Sequence, residues 1–180
     1  TIAAREMEQM EIAVVDSRMA SMGIGMLAIH AARLARQGRS LQEAVAEVEA
    51  LREKFHVVFA VDTLEYLARN GRIGRAQSFL GGLLSIKPVL SLADGEVVPV
   101  ERMRGKNRAL QELVDRTVAF LGERPGWISI VHSEAPDEAE SVRARIAERC
   151  QLVETILTHL GPTIGTHVGP GTIGVLALHV

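Results

Sequence analysis

Apolar residues follow two alternating patterns along this chain. Some segments are short continuous apolar runs, typical of buried strands, and others repeat apolar residues at helical spacing. The continuous runs predict strands over 11–16, 57–61, 127–132, 153–158 and 173–180. The helically spaced segments predict helices over 26–37, 41–54, 76–85, 106–121 and 136–149. Because strands and helices alternate, the pattern indicates an α/β fold with a mixed sheet.

A hairpin is predicted in the middle of the chain. Asp94-Gly95 lies between two extended runs, 86–92 and 97–102, and this dipeptide between apolar runs is a strong short-range signal for a β-hairpin. The hairpin adds antiparallel pairing to a pattern that otherwise resembles a parallel sheet, so the mixed sheet follows from it.

Other local signals mark element starts and loops. Ser40 with Glu43 three residues later matches a capping box at the start of the second helix. Asp62 or Thr63 is expected to cap the helix that follows the strand at 57–61. The glycines of 161–171 predict a loop before the last strand.

The chain divides into two parts of unequal completeness. Residues 1–56 carry a strand and two helices, which we interpret as the tail of another lobe. Residues 57–180 form a complete α/β unit of ordinary domain size. Because a helical pattern is already under way at Thr1, we expect the chain to be the C-terminal piece of a longer protein.

Composition excludes several classes of function. The formal net charge is −2 and aromatic residues make up 3%, which argues against a nucleic-acid partner. The single cysteine, Cys150, excludes an internal disulfide framework and fits a reducing compartment. No apolar run of about 18 residues occurs, so no membrane insertion is expected. We therefore expect a cytoplasmic protein.

Motifs for a self-contained catalytic site are missing from the sequence. The six histidines are scattered without the spacing of metal ligands. There is no phosphate-binding P-loop, no dinucleotide fingerprint and no Gly-x-Ser-x-Gly nucleophile motif. We expect no metal, no cofactor and no enzymatic activity.

Arg72 is the first candidate binding residue. It stands between Gly71 and Gly74, and small neighbours allow the backbone and a ligand to approach closely. A guanidinium in such a place can bind a carboxylate or phosphate with two parallel hydrogen bonds. A helix end followed by solvent-exposed arginines explains the same residues equally simply, and both interpretations stay open.

His167 is the second candidate. It precedes the stiff turn Gly169-Pro170-Gly171, where an imidazole can donate a hydrogen bond to an anion while its other nitrogen is fixed. A turn histidine that bonds only to water is the alternative.

A basic cluster follows the hairpin. It consists of Arg102, Arg104, Lys106 and Arg108. Such a cluster can dock an acidic or phosphate-bearing partner. It can also be no more than the solvated start of a helix.

Taken in order, several motifs resemble the DegV family, the bacterial fatty-acid-binding proteins. The resemblance covers the whole chain and is clearest from residue 57 onward. The motifs are Val14-Val15-Asp16-Ser17, Gly23-Ile24-Gly25, Asp62-Thr63-Leu64-Glu65-Tyr66-Leu67, Gly71-Arg72-Ile73, Ile86-Lys87-Pro88, Asp94-Gly95, Arg104 and His167-Val168-Gly169-Pro170-Gly171. One departure is Asn70, which stands where the family more often has glycine.

The resemblance implies a two-lobed architecture with a long-chain fatty acid between the lobes, this chain being mainly the C-terminal lobe. It implies that Arg72 and His167 face the fatty-acid carboxylate and that Arg104 lies on the surface that meets a fatty acid kinase. That kinase phosphorylates the bound carboxyl, so the binding protein is a carrier. The N-terminal lobe supplies serine and threonine hydroxyls to the head group, and no segment here matches its loops.

The apolar stretch after Arg72 is the candidate wall of an acyl tunnel. Its residues are Phe79, Leu80, Leu83 and Leu84. An ordinary core role explains the same side chains and stays open.

Two other functions stay open beside fatty-acid binding. One is a small-molecule phosphotransfer enzyme related to dihydroxyacetone kinase, which shares the general two-lobe plan but requires a nucleotide or a phosphohistidine. The other is a lobe that serves only for interaction or dimerisation.

Overall fold

The structure is a computed structural model that describes residues 10–80 and 86–180. The chain falls into two compact units, Thr1–Lys54 and Phe55–Val180. The assignment of 1–56 and 57–180 to two lobes of a longer protein stays a prediction.

The described part of the first unit contains two helices, α1 (Met22–Arg36) and α2 (Leu41–Arg52). The capping box at the start of α2 is confirmed. The Ser40 hydroxyl accepts from the Glu43 backbone N–H at 3.3 Å, and the Glu43 carboxylate accepts from the Ser40 N–H at 2.8 Å. Helix α1 ends just before Gly38, whose φ of 77° stops the helix.

The predicted strand at 11–16 is wrong. These residues have no regular secondary structure, and Ile12 and Val14 are exposed. A strand exists only through hydrogen bonds to a neighbouring strand. No other strand occurs in the described part of the first unit, so an apolar run alone does not produce one.

The second unit is built on one mixed sheet of six strands, as the sequence pattern predicts. The strands lie in the order β3-β2-β1-β6-β4-β5, and only the pair β4 and β5 is parallel. Their bounds are β1 His56–Ala60, β2 Ile86–Ala93, β3 Glu96–Arg104, β4 Gly126–His132, β5 Leu152–His159 and β6 Ile173–His179. The helices are α3 Glu65–Arg69, α4 Lys106–Leu121, α5 Pro136–Ala147 and α6 Pro162–Val168, with a 3-10 helix at Gly74–Phe79.

Among the described residues, apolar clusters of two sizes pack between the sheet and the helices of the second unit. The larger one joins the sheet to α4 and α5, and the smaller one joins it to α3, α6 and the 3-10 helix. Successive strand residues point to opposite faces of the sheet. Val58 accordingly belongs to the larger cluster, while its neighbour Phe59 packs against the smaller one.

The hairpin forms as predicted. Strands β2 and β3 pair from Ile86 with Arg104 to Ala93 with Glu96. The two turn residues Asp94 and Gly95 have φ of 53° and 80°, the positive values that a two-residue hairpin turn of type I′ requires.

Helical structure around the predicted site differs from the sequence expectation in three places. The glycine-rich segment 161–171 is not all loop, because Pro162–Val168 forms α6, with proline in its first turn. Neither Asp62 nor Thr63 is the N-cap of α3, which is Leu64, although the Thr63 hydroxyl accepts from the Glu65 N–H at 3.2 Å.

The third difference concerns the predicted helix 76–85. Its described part is the 3-10 helix at Gly74–Phe79, and 81–85 lies outside the described residues. Gly74 has a φ of 51°, and a Cβ there would lie 2.6 Å from the Val97 carbonyl oxygen on β3. This close backbone approach fixes the 3-10 helix against the hairpin.

His56, at the start of β1, has a ring nitrogen that is buried without a hydrogen bond from the described part of the chain to compensate it. The ring of His56 stacks on Phe120 at a centroid distance of 4.9 Å, and Phe120 stacks on His179 at 4.5 Å. The Nε2 atom of His56 is buried and has no hydrogen-bond partner among the described residues. Burial, with a smaller contribution from the Arg116 charge, lowers the pKa of His56 from 6.5 to about 4.

We expect this histidine to make folding stability depend on acid pH. The unfolded chain takes up the proton near pH 6.5 and the folded chain only near pH 4, so stability is full above that window and falls as pH drops through it. The expected loss is about 3 kcal/mol. Urea unfolding followed by the fluorescence of Trp127, the single tryptophan, measures it at several pH values. The His56→Phe variant should flatten the dependence in this pH window.

Candidate functional site

The two segments that carry the predicted ligand residues pack against each other. Segment 62–75 contains α3 and Arg72, and segment 161–171 contains α6 and His167. Helices α3 and α6 are in contact, although nearly a hundred residues separate them in the chain. The Asn70 side-chain amide donates a hydrogen bond across the contact to the Thr166 carbonyl oxygen at 3.0 Å. The fold therefore brings Arg72 and His167 to one region of the second unit.

The end of α3 explains Gly71. The Arg72 backbone N–H donates to the Leu67 carbonyl at 2.9 Å, and the Gly71 N–H donates to the Ala68 carbonyl at 3.1 Å. These two bonds, with a φ of 64° at Gly71, form a Schellman helix end. The helix-end interpretation of this glycine is therefore correct. It does not compete with a binding role, because this turn leaves the Arg72 side chain exposed.

The Arg72 side chain makes one hydrogen bond within the part of the chain that the structure describes. Its Nη1 atom donates to the Asn70 carbonyl oxygen at 3.2 Å. A guanidinium has five N–H donors, so most of them remain for an anion. The neighbouring glycine, Gly74, does not serve ligand approach as predicted, because its backbone lies against Val97 of β3.

His167 lies in the last turn of α6. Its side chain is half-buried, and its Nδ1 atom is fully buried without a hydrogen-bond partner among the described residues. A buried polar atom that lacks a partner costs about 1–3 kcal/mol. A bonding partner outside the described residues would remove that cost, which makes this imidazole a candidate ligand contact.

The Gly-Pro-Gly turn after His167 is held by close packing. A Cβ on Gly169, whose φ is 77°, would overlap the ring of Tyr66 on α3. A Cβ on Gly171, whose φ is 76°, would lie 2.7 Å from an Asp62 carboxylate oxygen. The buried Thr172 hydroxyl lies 3.0 Å from the carbonyl oxygens of Val168 and Gly169 and bonds to both. Both glycines are therefore required by the contact between the two segments.

An ion pair supports the same region from the sheet. Lys87 on β2 approaches the Asp62 carboxylate at 3.0 Å and also donates to the Asp62 carbonyl at 3.3 Å. This pair was not assigned a role from the sequence. A signal for this pair was present in the sequence. Lys87 lies within an apolar strand and Asp62 directly follows another strand, and opposite charges at the ends of neighbouring strands tend to pair.

A cavity of about 410 Å³ also borders α6. Gly165 and Pro170, on either side of His167 in the chain, contribute to its lining, together with Ser133 and His159 at the ends of β4 and β5. In α/β sheets the carboxyl ends of parallel strands are a usual place for ligands. The sequence patterns did not point to this cavity.

Two of the four residues in the predicted basic cluster make internal contacts. Arg102 stacks over the Phe79 ring at 4.6 Å and donates to the Ser78 carbonyl at 2.6 Å. Lys106 pairs with Glu138 at 3.0 Å. Hydrogen bonds from the Lys106 side chain and from the Glu138 backbone lower the pKa of the Glu138 carboxyl. Arg104, at the end of β3, is exposed and makes no ion pair within residues 10–80 and 86–180.

The candidate tunnel wall is only partly described. Phe79 is half-buried and packs against the smaller apolar cluster, and Leu80 is 46% exposed. Leu83 and Leu84 lie outside the described residues. A tunnel role for these four side chains stays a prediction.

Within 10–80 and 86–180, no group of three or more histidine, cysteine and acidic side chains is arranged to hold a metal ion. None of the helices in that part of the chain combines the length and the apolar character that crossing a membrane requires.

The fold is that of an α/β protein with a mixed six-stranded sheet. Arg72 and His167 lie on two glycine-containing segments that pack against each other. A model of the DegV family, described as an uncharacterised protein family, matches residues 1–180. The chain belongs to the DegV family.

Individual relatives agree with this membership. A DegV domain-containing protein of Mycobacterium tuberculosis is 38% identical over 165 residues, which cover 91% of this chain and 59% of the relative. A Thermus thermophilus DegV family structure, described by its fatty acid binding, is 38% identical with a TM-score of 0.93, covering 99% of this chain and 64% of that one. Bacillus subtilis DegV, described as a fatty acid binding protein, is 28% identical with a TM-score of 0.80 and the same coverage.

The chain is shorter than these relatives. It spans about three fifths of the length of the M. tuberculosis protein and of both structures. The activity of a whole DegV protein is therefore a proposal for this chain.

Proposed function

We propose that this protein binds a long-chain fatty acid and holds its carboxylate with Arg72 and His167. The observation that carries the proposal is the packing of α3 on α6, which joins the two segments that bear these residues. The fatty-acid binding of the T. thermophilus relative, at 38% identity, supports the choice of ligand.

The electrostatics of the two residues suit a carboxylate. Arg72 is exposed and keeps donors that no described residue occupies, while His167 has a buried nitrogen without a partner. A carboxylate that leaves water needs such donors to offset the loss of hydration. Hydrogen bonds between charged groups are also shorter and stronger than neutral ones.

The apolar part of the ligand has a matching surface nearby. Ile73 follows Arg72 directly, and Ile164 lies one helical turn before His167; both pack, half-buried, against the smaller apolar cluster. Burial of an acyl chain contributes about 0.8 kcal/mol per CH₂ group. A long chain therefore supplies most of the binding free energy, and the head group supplies orientation. In this proposal Phe79, Leu80, Leu83 and Leu84 line the acyl path.

The protein acts in this proposal as a carrier that presents the bound carboxyl to a fatty acid kinase. Arg104 is the proposed docking residue, because it is exposed at the end of the hairpin while its basic neighbours make internal contacts. In this proposal an N-terminal lobe supplies the serine and threonine hydroxyls that complete the head-group site.

Lipid analysis of the purified protein tests the proposed ligand. Organic extraction followed by mass spectrometry should release about one fatty acid per protein molecule. The protein should also rebind a fatty acid after delipidation. Preparations that contain no fatty acid and do not take one up would refute the proposal, and a co-purifying nucleotide would favour the phosphotransfer alternative.

We expect charge reversal at Arg104 to separate docking from binding. The Arg104→Glu variant should keep its fatty-acid affinity within a few-fold and should slow phosphorylation of the bound lipid by the kinase, because interface charges govern encounter rate. The loss should be larger at low salt, where charges are screened less. Lipid affinity and kinase turnover are measured on one preparation.

The control for this experiment is Arg36→Glu on α1. It makes the same change in net charge outside the second unit and should leave turnover unaffected. A weaker lipid affinity of Arg104→Glu with normal turnover at saturating lipid would assign Arg104 to the pocket instead.

A further inference from the structure

Asn70 connects the two proposed head-group residues. Its side-chain amide donates to the carbonyl oxygen of Tyr66 at 2.9 Å and to that of Thr166 at 3.0 Å. Its own carbonyl oxygen accepts a hydrogen bond from the Arg72 guanidinium at 3.2 Å. One residue therefore contacts Arg72 directly and reaches the residue that precedes His167.

Backbone conformation does not explain an asparagine at this position. Asn70 has a φ of −93°, and the left-handed residue at the end of α3 is Gly71. Alanine would adopt the Asn70 backbone without strain. What alanine and glycine lack is the amide NH₂ group, whose two hydrogens match the two carbonyl oxygens.

The bond to Thr166 joins the segments of α3 and α6, which are far apart in the chain. Helices α3 and α6 have five and seven residues, too short to be stable alone. Their relative position therefore depends on contacts between them, of which the packing of Tyr66 on Gly169 is one. The Asn70 amide adds a directional contact at the residue that directly precedes His167 in the chain.

We propose that Asn70 is a positioning residue that sets the spacing of Arg72 and His167 for carboxylate binding. The proposal rests on the proposed function. Asn70 does not have to touch the ligand. It fixes the Arg72 guanidinium from its carbonyl and the turn before His167 from its amide, so both donors converge on one anion.

Comparison of a fatty acid with the fatty alcohol of equal chain length tests this role. The alcohol has the same acyl chain and lacks the carboxylate. The Asn70→Ala variant of the intact protein should bind the acid about tenfold more weakly and the alcohol with nearly unchanged affinity, since the loss concerns only the head group. Asn70→Asp should lose more, because it faces two carbonyl oxygens with a carboxylate.

The matched control is Gln111→Ala on α4. Gln111 also donates a side-chain amide hydrogen bond, to Asp115 at 2.9 Å, outside the two packed segments. It should leave both affinities unchanged. In a His167→Ala background, Asn70→Ala should cost clearly less than in the wild type, because coupled residues are not additive.

Each result decides the proposal. Equal losses for acid and alcohol would reduce Asn70 to a general stabilising residue, and unchanged acid affinity would overturn the positioning role while leaving the proposed function intact. A wild-type protein that binds no fatty acid would overturn both. Without lipid, hydrogen exchange at the Gly169 N–H, which bonds to Gly165 at 2.8 Å, should be about fivefold faster in Asn70→Ala. An unchanged rate would contradict the contact's role.

Discussion

Alanine at Arg72 or at His167 is expected to weaken fatty-acid binding about tenfold to a hundredfold. Each substitution removes a charge-assisted hydrogen bond to a carboxylate that has left water, and such bonds contribute about 1.5–3 kcal/mol. Titration of the delipidated protein with a fluorescent or isotopically labelled fatty acid measures the change. The double variant should lose less than the sum of the two, because both donors serve one anion.

The control for Arg72→Ala is Arg69→Ala, one turn earlier on α3. Arg69 is exposed as well, but it pairs with Glu65 at 2.5 Å on its own helix. It should bind fatty acid like the wild type. Unchanged affinity in folded Arg72→Ala and His167→Ala proteins would remove both residues from the head-group site.

Gly169→Ala is expected to lower the free energy of unfolding of the second unit by about 2–4 kcal/mol. Two costs combine: alanine is strained at a φ of 77°, and its Cβ would overlap the Tyr66 ring. The same displacement separates α3 from α6, so fatty-acid affinity should fall too. Urea unfolding followed by the buried Trp127 measures the first effect.

Gly105→Ala is the matched control for the steric part. Gly105 lies in the same unit with a φ of 85°, and a Cβ there would meet no atom within 4 Å. The Gly105→Ala variant should lose only the cost of the strained backbone, about 1–3 kcal/mol. The double variant Tyr66→Ala/Gly169→Ala should lose less free energy of unfolding than the sum of the losses in the two single variants. A Gly169→Ala protein as stable as Gly105→Ala would contradict the packing.

Sequence reasoning worked best where one local rule decides the structure. The Asp94-Gly95 hairpin, the capping box at Ser40 and the bounds of α4 at Lys106–Leu121 all agree with the prediction. Each depends on turn chemistry or on a long amphipathic period, both of which lie within a short window.

Sequence reasoning failed where a distant residue decides. Segment 11–16 has strand character but lacks a paired strand within the described residues, and 161–171 looked like a loop. The helix there packs against α3, and its Thr166 carbonyl accepts a hydrogen bond from the distant Asn70 side chain. A seven-residue helix has little propensity of its own, so its formation depends on such tertiary contacts.

The sequence predicted which residues belong to the candidate site. It did not predict how they are arranged in space. Gly71 and Gly169 were recognised as special positions, but their roles differ: one ends a helix and the other admits an aromatic ring. The contact from Asn70 to Thr166 spans 96 positions in the chain. No pattern within a single sequence encodes such a pair, which is why the residue that connects Arg72 with His167 emerged only from the fold.

The place of β6 in the sheet has a consequence for how the protein is made. Strand β6 follows every other strand in sequence, yet it lies between β1 and β4. While a ribosome is still producing the preceding residues, β1 and β4 lack the strand that joins them. Their unpaired backbone edges then stay open to wrong pairing. Premature stops within Ile173–His179 therefore divide the sheet at its centre, and nascent chains need protection until that strand emerges.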